Sequence, residues 1–281
     1  MKTILITGGT DGMGKALAIT QLKKGYRVII VGRSKDKGAQ FINEAKQLNA
    51  SNRAIFLEAD LSLISENKRI IEIMEQEMKS LDTLILTAAD QSYRPNKRET
   101  REGFEFTFAL YYLSRYVLSY GLKSLMEKSN EPIIINISAP GLKGEVKWDN
   151  IQMSQNFDST KAQRHGSRLN DLLAVSFDEN NEAKYIKYIL FNPWAVRTKG
   201  ADASAKNKMQ QRINALIYKL IGKSPEEAIL PVIDLLDAPP KATLSAYLQR
   251  KEVDLSMPTF DKNKAKRLFN DTNSFIKKFI D

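Results

Sequence analysis

The sequence predicts a doubly wound α/β fold, a parallel sheet of about seven strands between two layers of helices, as one domain over residues 1–281. Short β-rich runs alternate with longer segments of helical period along the chain, the signature of βαβ units. Several of those runs are unbroken Ile, Leu and Val, as strands covered by helices on both faces require. The first run also passes directly into a glycine-rich turn and then a helical segment.

In chain order, a strand from Thr3 to Thr7 is followed by a helix over about Met13 to Lys24. The pattern repeats with Arg27 to Val31 and Asp36 to Leu48, with Ala54 to Leu57 and Ser62 to Lys79, and with Thr83 to Thr87 and the long segment Glu102 to Lys128. Pro132 to Ser138 leads to Ser159 to Ser176, and Tyr185 to Phe191 leads to two helical segments, Ala205 to Ile221 and Pro225 to Leu236. Leu244 to Leu248 is the last expected strand. Over Lys262 to Ile280, Ala265, Leu268, Phe269, Phe275, Ile276 and Phe279 recur among lysines, the pattern of a packed helix with a solvated basic face. The least regular stretches lie near 90–100, 141–158 and 194–208, each after a strand. In a doubly wound sheet ligands sit beyond the carboxyl ends of the strands, so these loops are expected to frame a small-molecule substrate site.

Composition narrows the chemistry. No cysteine is present, which removes disulfides, a thiolate nucleophile and cysteine-ligated metals, and the lone His165 argues against a histidine metal centre; no metal is expected. The 43 Lys and Arg exceed the 33 Asp and Glu, but they are spread along the chain without aromatic interleaving, so nucleic acid is not the expected partner. No apolar run approaches a membrane span, and Lys2 to Thr7 is too short for a signal segment, so the expected setting is cytoplasmic, away from membranes.

The strongest motif is Thr7-Gly8-Gly9-Thr10-Asp11-Gly12-Met13-Gly14, between the first strand and the first helix. In a Rossmann-type turn Gly8 permits the bend, Gly12 lets the backbone approach a pyrophosphate, and Gly14 allows close packing of helix on strand. The helix N-terminus then offers amide donors to phosphate. Thr10, Asp11 and Met13 complete the loop. At the end of the second strand, Arg33 and Ser34 stand where an NAD site carries an acidic residue. The guanidinium of Arg33 suits a 2′-phosphate, so NADP(H) is expected over NAD(H).

With the Thr-Gly-x-x-x-Gly-x-Gly spacing, and with Asp60 and Leu61 after the third strand, the sequence resembles the short-chain dehydrogenase/reductases, and more narrowly their retinol-dehydrogenase-like branch. Further motifs fall in that family's order: Gly103-Phe104-Glu105, Trp148-Asp149, Ser167-Arg168-Leu169, Asn192-Pro193 to Arg197-Thr198, and Ser224-Pro225-Glu226-Glu227. The resemblance implies a nicotinamide cofactor touching Asp60, Leu61, Ala88, Ala89, Pro193, Val196 and Thr198 besides the glycine loop. It also implies self-association through the long helices after the fourth and fifth strands.

The resemblance further implies an Asn–Ser–Tyr–Lys catalytic set, and all four positions depart from it. They hold Tyr111, Ala139, Arg164 and Arg168. A guanidinium stays protonated and cannot donate the proton, although Arg168 can still hold a ribose hydroxyl or a phosphate. Three replacements are open. His165, one residue away, has an imidazole that exchanges protons near neutrality, but it shares a stripe with Leu169, Leu172 and Leu173. Phe157 to Lys161 keeps the Tyr-x-x-x-Lys spacing without the hydroxyl, and residues 157, 161, 164 and 168 would form a cationic stripe facing the cleft. Tyr111 and Tyr112 could supply a phenol from the opposite wall.

Trp194 replaces the glycine after Pro193 and would intrude beside the nicotinamide. Arg33, Arg164 and Arg168 fall where an anionic cofactor or substrate should lie. The expected function is NADP(H)-dependent hydride transfer to or from a small carbonyl, imine or activated alkene at a non-standard site. The alternatives are an inactive nucleotide-binding scaffold, sensor or partner subunit, and a non-redox enzyme on the same fold.

Overall fold

The structure, a computed structural model, describes residues 1–90, 92–182, 185–197 and 222–280. The helix expected over 205–221 and the candidate Thr198 lie outside the described residues. One eight-stranded sheet runs in the order β3-β2-β1-β4-β5-β6-β7-β8. Its strands are β1 Thr3–Thr7, β2 Arg27–Gly32, β3 Ala54–Glu58, β4 Thr83–Leu86, β5 Ile133–Ile137, β6 Lys187–Asn192, β7 Leu244–Leu248 and β8 Lys251–Glu252. All pairings are parallel except β7 with β8. This is the expected doubly wound architecture. Its added two-residue strand follows a tight turn at Gln249 (φ +55°) and is too short to show a periodicity in sequence.

The apolar strands bury both faces. Leu5, Ile29, Val31, Leu84, Leu86 and Ile134 pack toward α3 (Ile64–Glu77), α4 (residues 106–121), α5 (Ser159–Glu179) and α7 (Lys262–Ile280). Ile4, Ile6, Val28, Ile30, Ile85 and Ile135 pack toward α1 (Gly12–Lys23), α2 (Lys35–Gln47) and α6 (Leu230–Asp237). Full burial of such a side chain stabilises the fold by about 1.5–3 kcal/mol relative to exposure.

Two differences bear on the site. The helix expected over 102–128 begins at Phe106, where the Glu105 carboxylate accepts from the Phe108 N–H at 2.8 Å, and it contains a π-turn over Ala109–Leu113. Such turns recur at functional sites because they displace one side chain from the regular helical positions. Second, the outer face of α4 is already covered by α7. Tyr112 Oη lies 2.6 Å from Thr272 Oγ1, Tyr116 Oη donates to Asn273 at 2.8 Å, and the Phe104, Phe108 and Tyr120 rings meet Phe279, Phe275 and Phe269. Of the two long helices expected to face a second copy, α4 thus has this face buried against the chain's own last helix. Among the described residues no helix is long and apolar enough to cross a membrane.

Candidate active site

β1 has β2 on one side and β4 on the other, so the chain reverses its winding there and opens a crevice at the carboxyl ends of the strands. A cavity of about 490 Å³ fills this crevice, lined by Gly8, Thr10, Asp11, Gly12, Met13, Gly14, Arg33, Leu61, Ala88, Ala89, Pro193 and Val196, all expected from the sequence. Gly8 holds φ +66°, and a Cβ on Gly14 would lie 2.4 Å from the Gly8 carbonyl oxygen and 2.6 Å from Thr87 Oγ1. The loop and helix therefore close only without a side chain at that position.

The first turn of α1 supplies donors to this cavity. Asp11 takes the Gly12 N–H at 2.8 Å, and the following amides remain for an anion. The Asp11 carboxylate is also paired with Lys37, from the first turn of α2, which brings a second cation to the cavity beside Arg33. Lys15, the nearer lysine in sequence, is instead bound to Glu44 at 2.6 Å. Arg33 has no ion-pair partner among the described residues. Its guanidinium lies 5.8 Å from the Phe106 ring. This donor set fits a phosphorylated dinucleotide.

Ser34 and Asp60 do not line the cavity. The Ser34 hydroxyl caps α2 by accepting from the Lys37 N–H at 3.3 Å. Asp60 Oδ1 accepts from the Ser62 N–H and Oγ at 3.0 and 2.7 Å, which fixes this side chain in the turn before α3.

A second cavity of about 340 Å³ adjoins the first, and Thr87, Ala89, Leu110, Ile137, Pro193 and Trp194 line both. Its own walls carry Tyr111, Ser138, Arg164 and Ser167, with Asp90, Leu142 and Trp194 from the three irregular loops. Tyr111 sits in the π-turn, with its carbonyl accepting from Asn170 at 2.8 Å and its hydroxyl 3.3 Å from Ser167 Oγ. One edge of its ring meets α5 at Gly166, and the Arg115 guanidinium lies over the ring, 4.3 Å from its centroid.

Arg115 is wholly buried and donates to Asn136, to the Ile137 carbonyl at 2.8 Å and to the Ala88 carbonyl at 3.3 Å. It has no carboxylate partner among the described residues, and burial lowers its pKa. Ser138 is 5% exposed, and its hydroxyl makes no hydrogen bond among the described residues.

The sequence candidates on α5 separate. Arg164 lines the second cavity, but Arg168 and His165 line neither. Arg168 is 3% exposed and ties Asp171 (2.7 Å) to the Ala139 carbonyl (2.5 Å), so it is used within the wall rather than for a ribose. Burial pulls the Arg168 pKa down and the Asp171 pKa up, and their mutual attraction opposes both. His165, 6% exposed, accepts from the Lys147 N–H at 3.0 Å. Burial, with the charge of Lys147, pulls its pKa down to about 4.

The cationic stripe does not extend to residue 157, because Asp158 caps α5 by accepting from the Lys161 N–H at 3.0 Å. Tyr112 is core under α7, and burial raises its pKa well above the ordinary value. Among the described residues no group of three or more His, Asp or Glu side chains could hold a metal ion.

Trp194, expected to intrude here, stands on the boundary of both cavities at φ +67°, 56% exposed. Its N–H is held by Asn192 Oδ1 at 2.8 Å. Sequence reasoning missed Lys37, Arg115, Ser138 and Gly166. Of these, only Gly166 leaves a local signal, an isolated glycine inside a helical pattern.

The sequence profile of the family described as short chain dehydrogenase matches residues 2–152. Human retinol dehydrogenase 14 is 24% identical over 286 residues, covering 96% of this chain and 84% of that protein. An oxidoreductase of Emericella nidulans is 30% identical over 173 residues, covering 60% of this chain and 51% of that protein. The chain thus spans about half the length of some of the curated relatives it matches. Among solved structures, the Pseudomonas aeruginosa RhlG/NADP active-site complex superposes with a TM-score of 0.67 at 19% identity, over 88% of this chain and 94% of that one. A Sphingobium yanoikuyae short-chain dehydrogenase in complex with NADPH gives 0.66 at 18% identity, over 96% of each chain.

Proposed function

Because this chain belongs to the short chain dehydrogenase family, we propose that it is an NADP(H)-dependent oxidoreductase acting on a small carbonyl compound, with Tyr111 as the proton donor. An imine or activated alkene would need the same hydride. One observation carries the reading: the glycine-loop cavity and the cavity bearing Tyr111 and Ser138 share a wall and form a continuous cleft.

When bound, the nicotinamide supplies a hydride to the carbonyl carbon. The protein's part is orientation and proton transfer. The Ser138 hydroxyl lacks a partner but is shut off from solvent, so it would reach the substrate oxygen only by rotating into the second cavity. The Tyr111 hydroxyl, held by Ser167, gives that oxygen its proton. Arg115 places a positive charge against the ring from which the proton leaves. Arg33 favours the extra phosphate of NADP(H), with the neighbouring Lys37 held in an ion pair by Asp11.

The test is NADPH oxidation against a panel of carbonyls, enones and imines, with the Tyr111→Phe variant beside it. Turnover that this variant loses supports the reading; turnover that it retains in full refutes the assignment of Tyr111. A second reading, a nucleotide-binding scaffold without turnover, is favoured by the ties that remove Arg168 and His165 from the cleft. Tight NADPH binding by calorimetry, with no oxidation across the panel, would select it.

A further inference from the structure

Resting on the oxidoreductase reading above, we infer that the second cavity takes a planar, unsaturated carbonyl compound bearing a carboxylate, with Trp194 as the stacking platform and Arg164 as the carboxylate's partner. Three features at different places in the cavity carry this inference.

At one wall, Ser138 is buried with an unpartnered hydroxyl, which rotation of the side chain into the cavity would pair with a substrate oxygen. At the boundary with the cofactor cavity stands Trp194. A bulky residue rarely adopts φ +67°, and such strain persists where the surroundings hold it. Asn192 does so, taking the Trp194 N–H at 2.8 Å while its own carbonyl accepts from the Gln249 N–H at 2.8 Å. The indole is more than half exposed and has no aromatic or cationic ring partner among the described residues. A flat apolar face held open beside a ligand cavity suits a flat ligand.

The third feature is charge. Arg164 lines the cavity, is exposed, and has no ion-pair partner among the described residues, whereas Asp90, the one carboxylate among the described lining residues, is neutralised by Arg94. The described lining is therefore net positive. A guanidinium fork matches a carboxylate in two parallel hydrogen bonds. The volume of about 340 Å³ is near the lower end of the range for small-molecule sites, which suits a single substituted ring.

The probe is 4-carboxybenzaldehyde, compared with its methyl ester and with the saturated 4-formylcyclohexanecarboxylate. Reduction of the aldehyde takes a hydride from NADPH and one proton through Tyr111, giving the primary alcohol and NADP+. Binding is read without turnover in NADP+-saturated protein. Trp148, stacked under Arg267 at 4.1 Å and outside both cavities, is replaced by phenylalanine, which leaves Trp194 as the only indole.

The expected result is quenching of Trp194 fluorescence by 4-carboxybenzaldehyde, with the methyl ester and the saturated analogue each about tenfold weaker. Arg164→Gln should abolish the preference over the ester and Trp194→Ala, read by calorimetry, the preference over the saturated analogue. Equal binding of acid and ester, or an unchanged preference in Arg164→Gln, overturns the carboxylate assignment. Equal binding of flat and saturated acids overturns the role of Trp194. Failure to bind NADP+ and NADPH by calorimetry would instead defeat the oxidoreductase reading beneath both.

Discussion

Substituting Gly166 by alanine should remove the proposed turnover while leaving the protein folded. The added Cβ would stand 2.6 Å from Tyr111 Cδ1, 3.3 Å from Cε1 and 3.6 Å from Cγ. Carbon atoms sit comfortably at about 3.5–4.0 Å, so the ring edge must retreat by about 1 Å. Because the hydroxyl moves with the ring, it must swing away from Ser167. A displacement of about 1 Å at a reacting group can cost about a hundredfold in rate.

Stability should change little. Alanine gains about 0.8–1 kcal/mol over glycine inside a helix, and overpacking costs about 1–3 kcal/mol, for a net loss of roughly 0–2 kcal/mol. The assays are NADPH oxidation with the best substrate of the panel, urea unfolding, and calorimetry with NADPH. Turnover should fall toward that of Tyr111→Phe with nucleotide affinity unchanged, and the double variant should lose nothing further, because both substitutions act on one group. Unchanged turnover in a folded Gly166→Ala protein, or an equal further loss in the Tyr111→Phe background, would refute the assignment of Tyr111.

Arg33→Glu should weaken NADPH by about ten- to a hundredfold, the value of a charge-assisted hydrogen bond of about 1.5–3 kcal/mol, and leave NADH unaffected; equal loss for both would count against a 2′-phosphate role. His165→Gln should keep full turnover, since the imidazole faces Lys147 rather than the cleft; loss of turnover in a folded variant would return His165 to the mechanism. The same variant isolates a pH effect. The folded-state pKa of His165 lies at about 4, below its ordinary 6.5, so the unfolded chain binds the extra proton between these values. Stability therefore falls as pH drops through this window, by about 1.4 kcal/mol per pH unit and about 3 kcal/mol in all, and urea midpoints of wild type and variant should diverge accordingly. Light scattering should show no dimer formed through α4, whereas removing residues 261–281 should expose its aromatic row and cause association; a wild-type dimer cross-linked through Tyr116 would contradict this.

The layout of the sheet was legible because its strands are runs of Ile, Leu and Val too apolar to lie anywhere but between two helical layers, and the glycine loop because Gly8 and Gly14 answer to local geometry. β8 escaped because two residues carry no period. Lys37 escaped because its importance comes from α2 turning it back over Asp11, a contact across 26 positions of chain. Arg115 was hidden by its type, since an arginine between Ser114 and Tyr116 reads as a polar surface position, while the fold encloses it behind Ala88 and Ile137. Self-association through the helices after the fourth and fifth strands, α4 and α5, was expected from resemblance. The amphipathic pattern of Lys262 to Ile280 was read correctly as a packed helix, but the face it covers depends on where the chain returns, which no local pattern specifies.

The departures from the catalytic set that the resemblance implies can then be weighed as a group. Simple loss of function would explain Arg164 and Arg168, and it would explain Ala139. It gives no reason for a glycine in the interior of α5, which costs about 1 kcal/mol relative to alanine in a helix. Gly166 lies on the face of α5 that meets the π-turn, and the only side chain among the nearest atoms to its missing Cβ is the ring of Tyr111. The same turn is secured on both sides of that ring, by Asn170 at its carbonyl and by Ser167 at its hydroxyl. Room, orientation and a nearby cation thus converge on one phenol packed against the same helix that carries the position implied for the family's tyrosine. That convergence favours a relocated proton donor over a vacated one.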